Sequence, residues 1–229
     1  MIGSRARLCA CLAAGSVAAG LALPAASPAH QVATLSGGQL TITGDQQNKL
    51  NDLITLDYDS SRDELVIGND VFGRHPSKCT RDAVHPERII HCPRSLTSAI
   101  QINAGTGSDS VIATVPVAIQ AAMGAGNDSF QGGSEVDTVR GGSGSDKASL
   151  GAGDDTASMG GGTDKAYGGP GKDTLKGGAA SDKLFGQGGA DWLLGGGGRD
   201  KLLAGGGQDQ CNGGPGGAKQ ISCKVDVNY

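Results

Sequence analysis

Ten aspartates, Asp128, Asp137, Asp146, Asp155, Asp164, Asp173, Asp182, Asp191, Asp200 and Asp209, follow one another at intervals of nine without a slip. A carboxylate that recurs at a fixed period, always behind glycines, offers hard oxygen ligands and exposed backbone carbonyls together. That donor set suits a hard cation taking six to eight oxygens. Calcium is favoured over magnesium, because an all-protein oxygen cage of flexible geometry suits the larger ion. No soft ligand recurs with the period, so zinc and copper have nothing to select them.

The elements that must position these carboxylates follow from the same period. Two residues after each Asp stands an apolar or small residue: Phe130, Val139, Ala148, Ala157, Ala166, Leu175, Leu184, Leu193, Leu202 and Cys211. The unit reads G-G-x-G-x-D-x-U-x, with U apolar. Its glycines permit a tight six-residue turn with φ above zero and leave the carbonyls unobstructed by side chains. Its last three residues form a short strand with U facing inward. One nonapeptide turns the chain half way round, so eighteen residues complete a coil and like turns stack at about 4.8 Å. Thirty-three of the 41 glycines lie between Gly105 and Gly217, which confines this architecture to one region.

Sorting by coil gives one edge with Asp128, Asp146, Asp164, Asp182 and Asp200, and another with Asp137, Asp155, Asp173, Asp191 and Asp209. Asp109 lies nineteen before Asp128. A one-residue bulge within 114–123 brings it onto the first edge, making columns of six and five turns. Between stacked turns the carbonyl candidates are Gly124, Gly126, Gly142, Gly144, Gly151, Gly153, Gly160, Gly162, Gly169, Gly171, Gly196 and Gly198. With one ion between neighbours the expected load is about six to eight calcium ions.

These nonapeptides resemble those of the RTX, or haemolysin-type calcium-binding repeat, family. The resemblance implies an all-β fold, a calcium-loaded parallel β-roll or β-solenoid. The lead-in resembles that of secreted actinobacterial members: a β-rich stretch, a Cys79 to Cys92 pair, then Ile102-Asn103-Ala104-Gly105-Thr106-Gly107-Ser108-Asp109. Relatives in Gram-negative bacteria usually carry a C-terminal export signal, whereas an N-terminal one is read here. Within the loops, Glu135 and Ala180 replace turn glycines before Asp137 and Asp182, and weaker binding is expected there. Gly188-Gly189 before Asp191 reads as shifted in register by one, and Gly217-Ala218 continues the period without an Asp.

Outside the repeats, Arg5 and Arg7 precede an apolar stretch from Leu8 to Leu23 that ends in small residues and prolines. That is the pattern of a secretory signal peptide over residues 1–29, with Ser27 and Ala29 before the cut. Cys9 and Cys11 precede the apolar stretch and leave with it. Losing two arginines takes the formal charge from −4 to −6, too acidic for a nucleic-acid partner. No other apolar run approaches membrane-spanning length. Four cysteines remain, and in an oxidising compartment Cys79–Cys92 and Cys211–Cys223 is the simplest of three pairings. Cys79, His85, His91 and Cys92 match no zinc module by spacing.

Residues 30–104 read as a β-rich cap or first coils, with strands at Leu40 to Thr43, Ile54 to Tyr58, Glu64 to Ile67, Ile89 to Cys92 and Ala99 to Asn103. Residues 105–212 are the roll and 213–229 a C-terminal cap. No H-E-x-x-H or G-x-S-x-G string occurs, so a non-enzymatic protein is expected. The residue after each Asp alternates, with Thr138, Thr156 and Thr174 on one sheet and Lys147, Lys165, Lys183 and Lys201 on the other. A lysine row can meet an anionic glycan or cell-wall polymer, giving an alternative function as a calcium-dependent adhesion module. The simpler reading is a solvated face whose charge blocks sheet stacking. Tyr167, Phe185, Trp192, Leu194 and Leu203 make the later outward positions apolar, to be covered by the tail (Ile221, Val225, Val227, Tyr229) or by a protein partner.

Overall fold

In the computed structural model each half-coil from Phe130 to Leu202 is a short strand whose U residue is buried and whose neighbours face out. Lys147–Ser149 and Thr156–Gly161 show the alternation. The structure describes residues 31–36, 39–44, 53–69, 72–74, 79–81, 89–215 and 220–223. The leader, His85, Val225, Val227 and Tyr229 lie outside them.

Successive strands fall alternately into two sheets. One takes Ala99–Thr106, Ile119–Ala125, Thr138–Ser143, Thr156–Gly161, Thr174–Ala179, Trp192–Gly196 and Gln210–Asn212 in parallel order. The other takes Ser110–Ala113, Ser129–Gln131, Lys147–Ser149, Lys165–Pro170, Lys183–Gly188, Lys201–Gly206 and Gln220–Ser222. This is the expected all-β parallel β-roll, a solenoid of about seven turns.

Register fixes the coil length. Thr138 pairs with Thr156 and Thr156 with Thr174, eighteen residues apart. Ile100 pairs with Ile119 and Ser110 with Ser129, nineteen apart, whereas Gln120 pairs with Thr138. The extra residue therefore falls between Ile112 and Ile119, where Pro116 interrupts the strand pattern. It carries Asp109 into line with Asp128, as the expected bulge requires.

Both sheets run on into the N-terminal segment. Gln39–Thr43 pairs parallel with Ala99–Thr106, and Leu53–Asp59 with Ser110–Ala113. Beyond that coil the pairing turns antiparallel, through Gln31–Ser36 in one sheet and Glu64–Asn69, Ile89–Pro93 and Thr80–Arg81 in the other. Cys79 and Cys92 form a disulfide within this end, their Cα atoms 4.4 Å apart.

The core between the sheets is filled by exchange of volume between two inward positions per strand. Where U is Phe130, Leu175, Leu184 or Leu193, the inward position two residues on is glycine; where U is Ala148 or Ala157, it is Leu150 or Met159. All of these apolar side chains are buried in one cluster. Ala166 followed by Gly168 is the one small pair from Phe130 onward. Such exchange of volume between the two inward positions fits close packing between the sheets.

Of the tail residues expected over the outward apolar columns only Ile221 is placed; Val225, Val227 and Tyr229 lie outside the described residues. Gln220–Ser222 does not fold over the outward apolar columns; it adds a further rung, pairing Lys201 with Gln220 and Leu203 with Ser222. Leu202 is matched by Ile221, half exposed because no described rung lies beyond it. The Cys211–Cys223 disulfide ties this rung to the strand Gln210–Asn212.

Candidate metal centre

The turns that deliver the aspartates share one backbone shape. The residues four and two positions before the Asp have positive φ: Gly142 (118°) and Gly144 (125°) before Asp146, Gly169 (123°) and Gly171 (138°) before Asp173. Two turns hold the same shape with one of the two glycines replaced, by Ala180 (φ 74°) and by Gln187 (φ 80°). Gln187 pairs with Gly169 in unbroken register. The expected slip before Asp191 is therefore absent: Gln takes the second glycine position and Gly188 is an ordinary third residue.

The turn before Asp137 differs. Neither Gly133 nor Glu135 has positive φ. A charged residue with a Cβ stands where the other turns need a left-handed conformation, and the chain takes another path.

All eleven aspartates are buried, none more than 4% exposed. Each carboxylate from Asp128 to Asp209 hooks onto the coil before it. The backbone N–H of Asp146 donates to Oδ1 of Asp164 at 2.8 Å, that of Asp155 to Asp173 at 2.9 Å, and that of Asp191 to Asp209 at 3.0 Å. Asp109 enters the column the same way, its N–H donating to Oδ1 of Asp128 at 2.7 Å. At the head of the second edge, where no Asp precedes, Ile119 supplies the N–H to Asp137.

The second carboxylate oxygen is what marks a cation site. Oδ2 of Asp128, Asp146, Asp155, Asp164, Asp173, Asp182, Asp191, Asp200 and Asp209 is buried without a hydrogen-bond partner. An anionic oxygen in that position is costly unless a cation meets it. Asp137 departs again, its Oδ2 accepting a long contact of 3.4 Å from the N–H of Gly133.

Backbone oxygens stand beside the orphaned ones. A Cβ added to Gly177 would strike both Oδ2 of Asp182 and the carbonyl oxygen of Gly195, in the next turn of that edge. The same pairing brings Asp146 beside Met159, Asp191 beside Ala204, and Asp200 beside Gly213. The carbonyls of the positive-φ residues point along the stack, so that a Cβ on Gly142 would meet the oxygen of Gly124, and one on Gly144 the oxygen of Gly126. No three His, Cys, Asp or Glu side chains converge among the described residues. A cation between turns must therefore draw most of its oxygens from backbone, which is calcium-like coordination. The donor set fits calcium.

Electrostatics agree. Burial pushes the carboxyl groups of Asp137, Asp173 and Asp182 up to about 7, and that of Asp146 to about 6. The accepted backbone N–H opposes this, and neighbouring carboxylates add to it. Asp128, Asp155, Asp164 and Asp191 are raised for the same first cause. Carboxylates held ready to lose protons to a divalent ion are what such a column needs.

The glycines read from the sequence as carbonyl donors sit where expected in the turns. Four further turns of the same shape, at Gly105 and Gly107, Gly178 and Ala180, Gln187 and Gly189, and Gly205 and Gly207, were not among them. Also missed were the carbonyls five positions before an Asp, at Met159 and Ala204, and that of Gly213 at the same place in the period, before Ala218. Only the nine-residue period could have found them, since their side chains are unrelated. A lace one position before the Asp was missed too: Asn127 and Asp154 accept from the N–H of Ser145 and Lys172 at 2.7 and 2.8 Å.

The family model described as RTX calcium-binding nonapeptide repeat (4 copies) matches residues 124–157, 160–193 and 185–217. No curated protein and no solved structure matches the chain.

Proposed function

We propose, from a repeat region that belongs to the RTX calcium-binding nonapeptide family, that this is a secreted, non-enzymatic protein whose calcium ions are structural and whose folding depends on them. The observation that carries the reading is the pair of columns of buried carboxylates, nine of them with one oxygen hydrogen-bonded across turns and the other left over. Without cations, these stacked carboxylates oppose the coil that burial of the U column favours. With cations between turns, the same groups hold it together.

Secretion is supported by the leader pattern in residues 1–29 and by two disulfides, which persist in oxidising compartments. Among the described residues no helix is long and apolar enough to cross a membrane. The ion load remains about six to eight, and affinity on the order of 10⁻⁴ to 10⁻³ M suits extracellular calcium. Circular dichroism of the mature chain in chelator and in millimolar calcium tests the reading. A β spectrum that forms only with calcium is expected; full β structure in chelator removes coupled folding.

A further inference from the structure

One sheet of the roll carries a column of like charges that packing does not demand. Lys147, Lys165, Lys183 and Lys201 pair directly in register on successive parallel strands. At about 4.8 Å per strand, four ammonium groups share a strip roughly 14 Å long. Like charges directly opposite are destabilising. Among the described residues none of the four has an ion-pair partner.

A second column runs beside the first, through Ser149, Tyr167, Phe185 and Leu203. The Tyr167 and Phe185 rings stack at 4.8 Å with 15° between planes, and the Lys165 ammonium stands 4.8 Å from the Tyr167 centroid. No acidic side chain faces outward on these four strands; Arg199 on one adjoining edge adds a cation and the exposed Asp154 on the other an anion. The aspartates that precede each lysine are buried in the turns.

We propose that this strip docks a linear acidic polysaccharide lying along the roll axis. Its carboxylate or sulfate groups meet the lysine column, and the apolar faces of its sugar rings pack across the outer edges of the stacked Tyr167 and Phe185 rings and on Leu203. The inference rests on the calcium-folded roll, because cations in the turns neutralise carboxylates one residue away from each lysine. The strip is one lysine and one apolar residue wide, which suits a single extended polymer and not a planar membrane. The two rings stack on each other and do not stand apart to receive bases. A second copy of the chain would set lysines against lysines.

Calorimetric titration with chondroitin sulfate, at saturating calcium, tests it. Uncharged dextran, phosphatidylglycerol vesicles and oligodeoxythymidylate are run in parallel, with circular dichroism of each sample. The expected result is binding to chondroitin sulfate that weakens with salt and falls about tenfold in Lys165→Gln/Lys183→Gln. Lys172→Gln, on the opposite edge, leaves it unchanged. Folded protein that does not bind, equal binding to dextran, equal loss in Lys172→Gln, or tighter binding to vesicles or oligonucleotide overturns the polysaccharide surface alone. A chain that calcium does not fold overturns the parent reading with it.

Discussion

The backbone N–H of Asp164 donates to Oδ1 of Asp182 at 2.9 Å, while Oδ2 of the same carboxylate is buried beside the carbonyl of Gly195 with no hydrogen-bond partner. One side chain thus has two separable jobs, lacing turns together and presenting charge to a cation. Asp182→Asn keeps the Oδ1 acceptor and removes the charge. It should stabilise the coil in chelator, yet move the calcium midpoint up by about a decade. Asp182→Ala should lose on both counts. Asp209→Ala, at the end of its column, should shift the midpoint less than either, because only one neighbouring turn shares its ions. Calcium titrations followed by circular dichroism give the comparison, and a larger shift for Asp209→Ala would refute shared ions.

The same carboxylates make the metal-free coil sensitive to pH in an unusual direction. Asp137, Asp173 and Asp182 are held up to about 7 and Asp146 to about 6 by burial, against about 3.9 in an unfolded chain. The folded metal-free state therefore binds more protons. Its stability is fully present below about pH 4 and is lost as pH rises through 6 to 7. Calcium takes the deprotonated form. In chelator, any residual β signal in circular dichroism should be larger at pH 6 than at pH 8, whereas the calcium concentration needed for folding should barely change, because unfolded and calcium-bound carboxylates are both ionised at either pH. Equal metal-free stability at the two values would show that the buried carboxylates are not destabilising.

Much of this was legible because one period governs turn, strand and site together. Asp128 through Asp209 and the U column follow from counting, and even the Asp109 offset pointed to an extra residue before the second coil. The N-terminal strands were legible from alternation, but not their antiparallel order, which depends on which edge of the first coil each hairpin meets. Gln187 was misread because a glycine shift and a tolerated left-handed glutamine look alike in a string of letters. Backbone carbonyls such as that of Met159 leave no mark on residue type. The tail's place as a further rung was hidden because its pairing spans nineteen residues instead of eighteen.

Leu150 and Met159 fill the core where U shrinks to Ala148 and Ala157, and both are buried. Leu150→Ala should leave a cavity that two apposed sheets cannot close, costing about 2 to 5 kcal/mol in calcium-saturated protein. Leu150→Ala with Ala148→Leu restores the volume from the other inward position and should recover more than half of that loss. Urea melts at saturating calcium measure both. If the double variant is as unstable as the single one, the two positions do not exchange volume.

Ala180 and Gln187 hold φ of 74° and 80° in turns where their counterparts are glycine. A side chain in the left-handed region costs about 1 to 2 kcal/mol, which glycine avoids at some expense in chain entropy. Ala180→Gly and Gln187→Gly should therefore each stabilise the calcium-bound roll by about 1 kcal/mol. Glu135 occupies the equivalent place before Asp137 but does not have positive φ. Glu135→Gly relieves no such strain. It should leave thermal stability nearly unchanged, unless the new glycine lets that turn adopt the shape of its neighbours and frees Oδ2 of Asp137 from the N–H of Gly133. Calorimetry of bound calcium separates those two outcomes, since the second raises the number of ions by one. A gain for Glu135→Gly with no added ion, or none for Ala180→Gly, would contradict the assignment of strain to these turns.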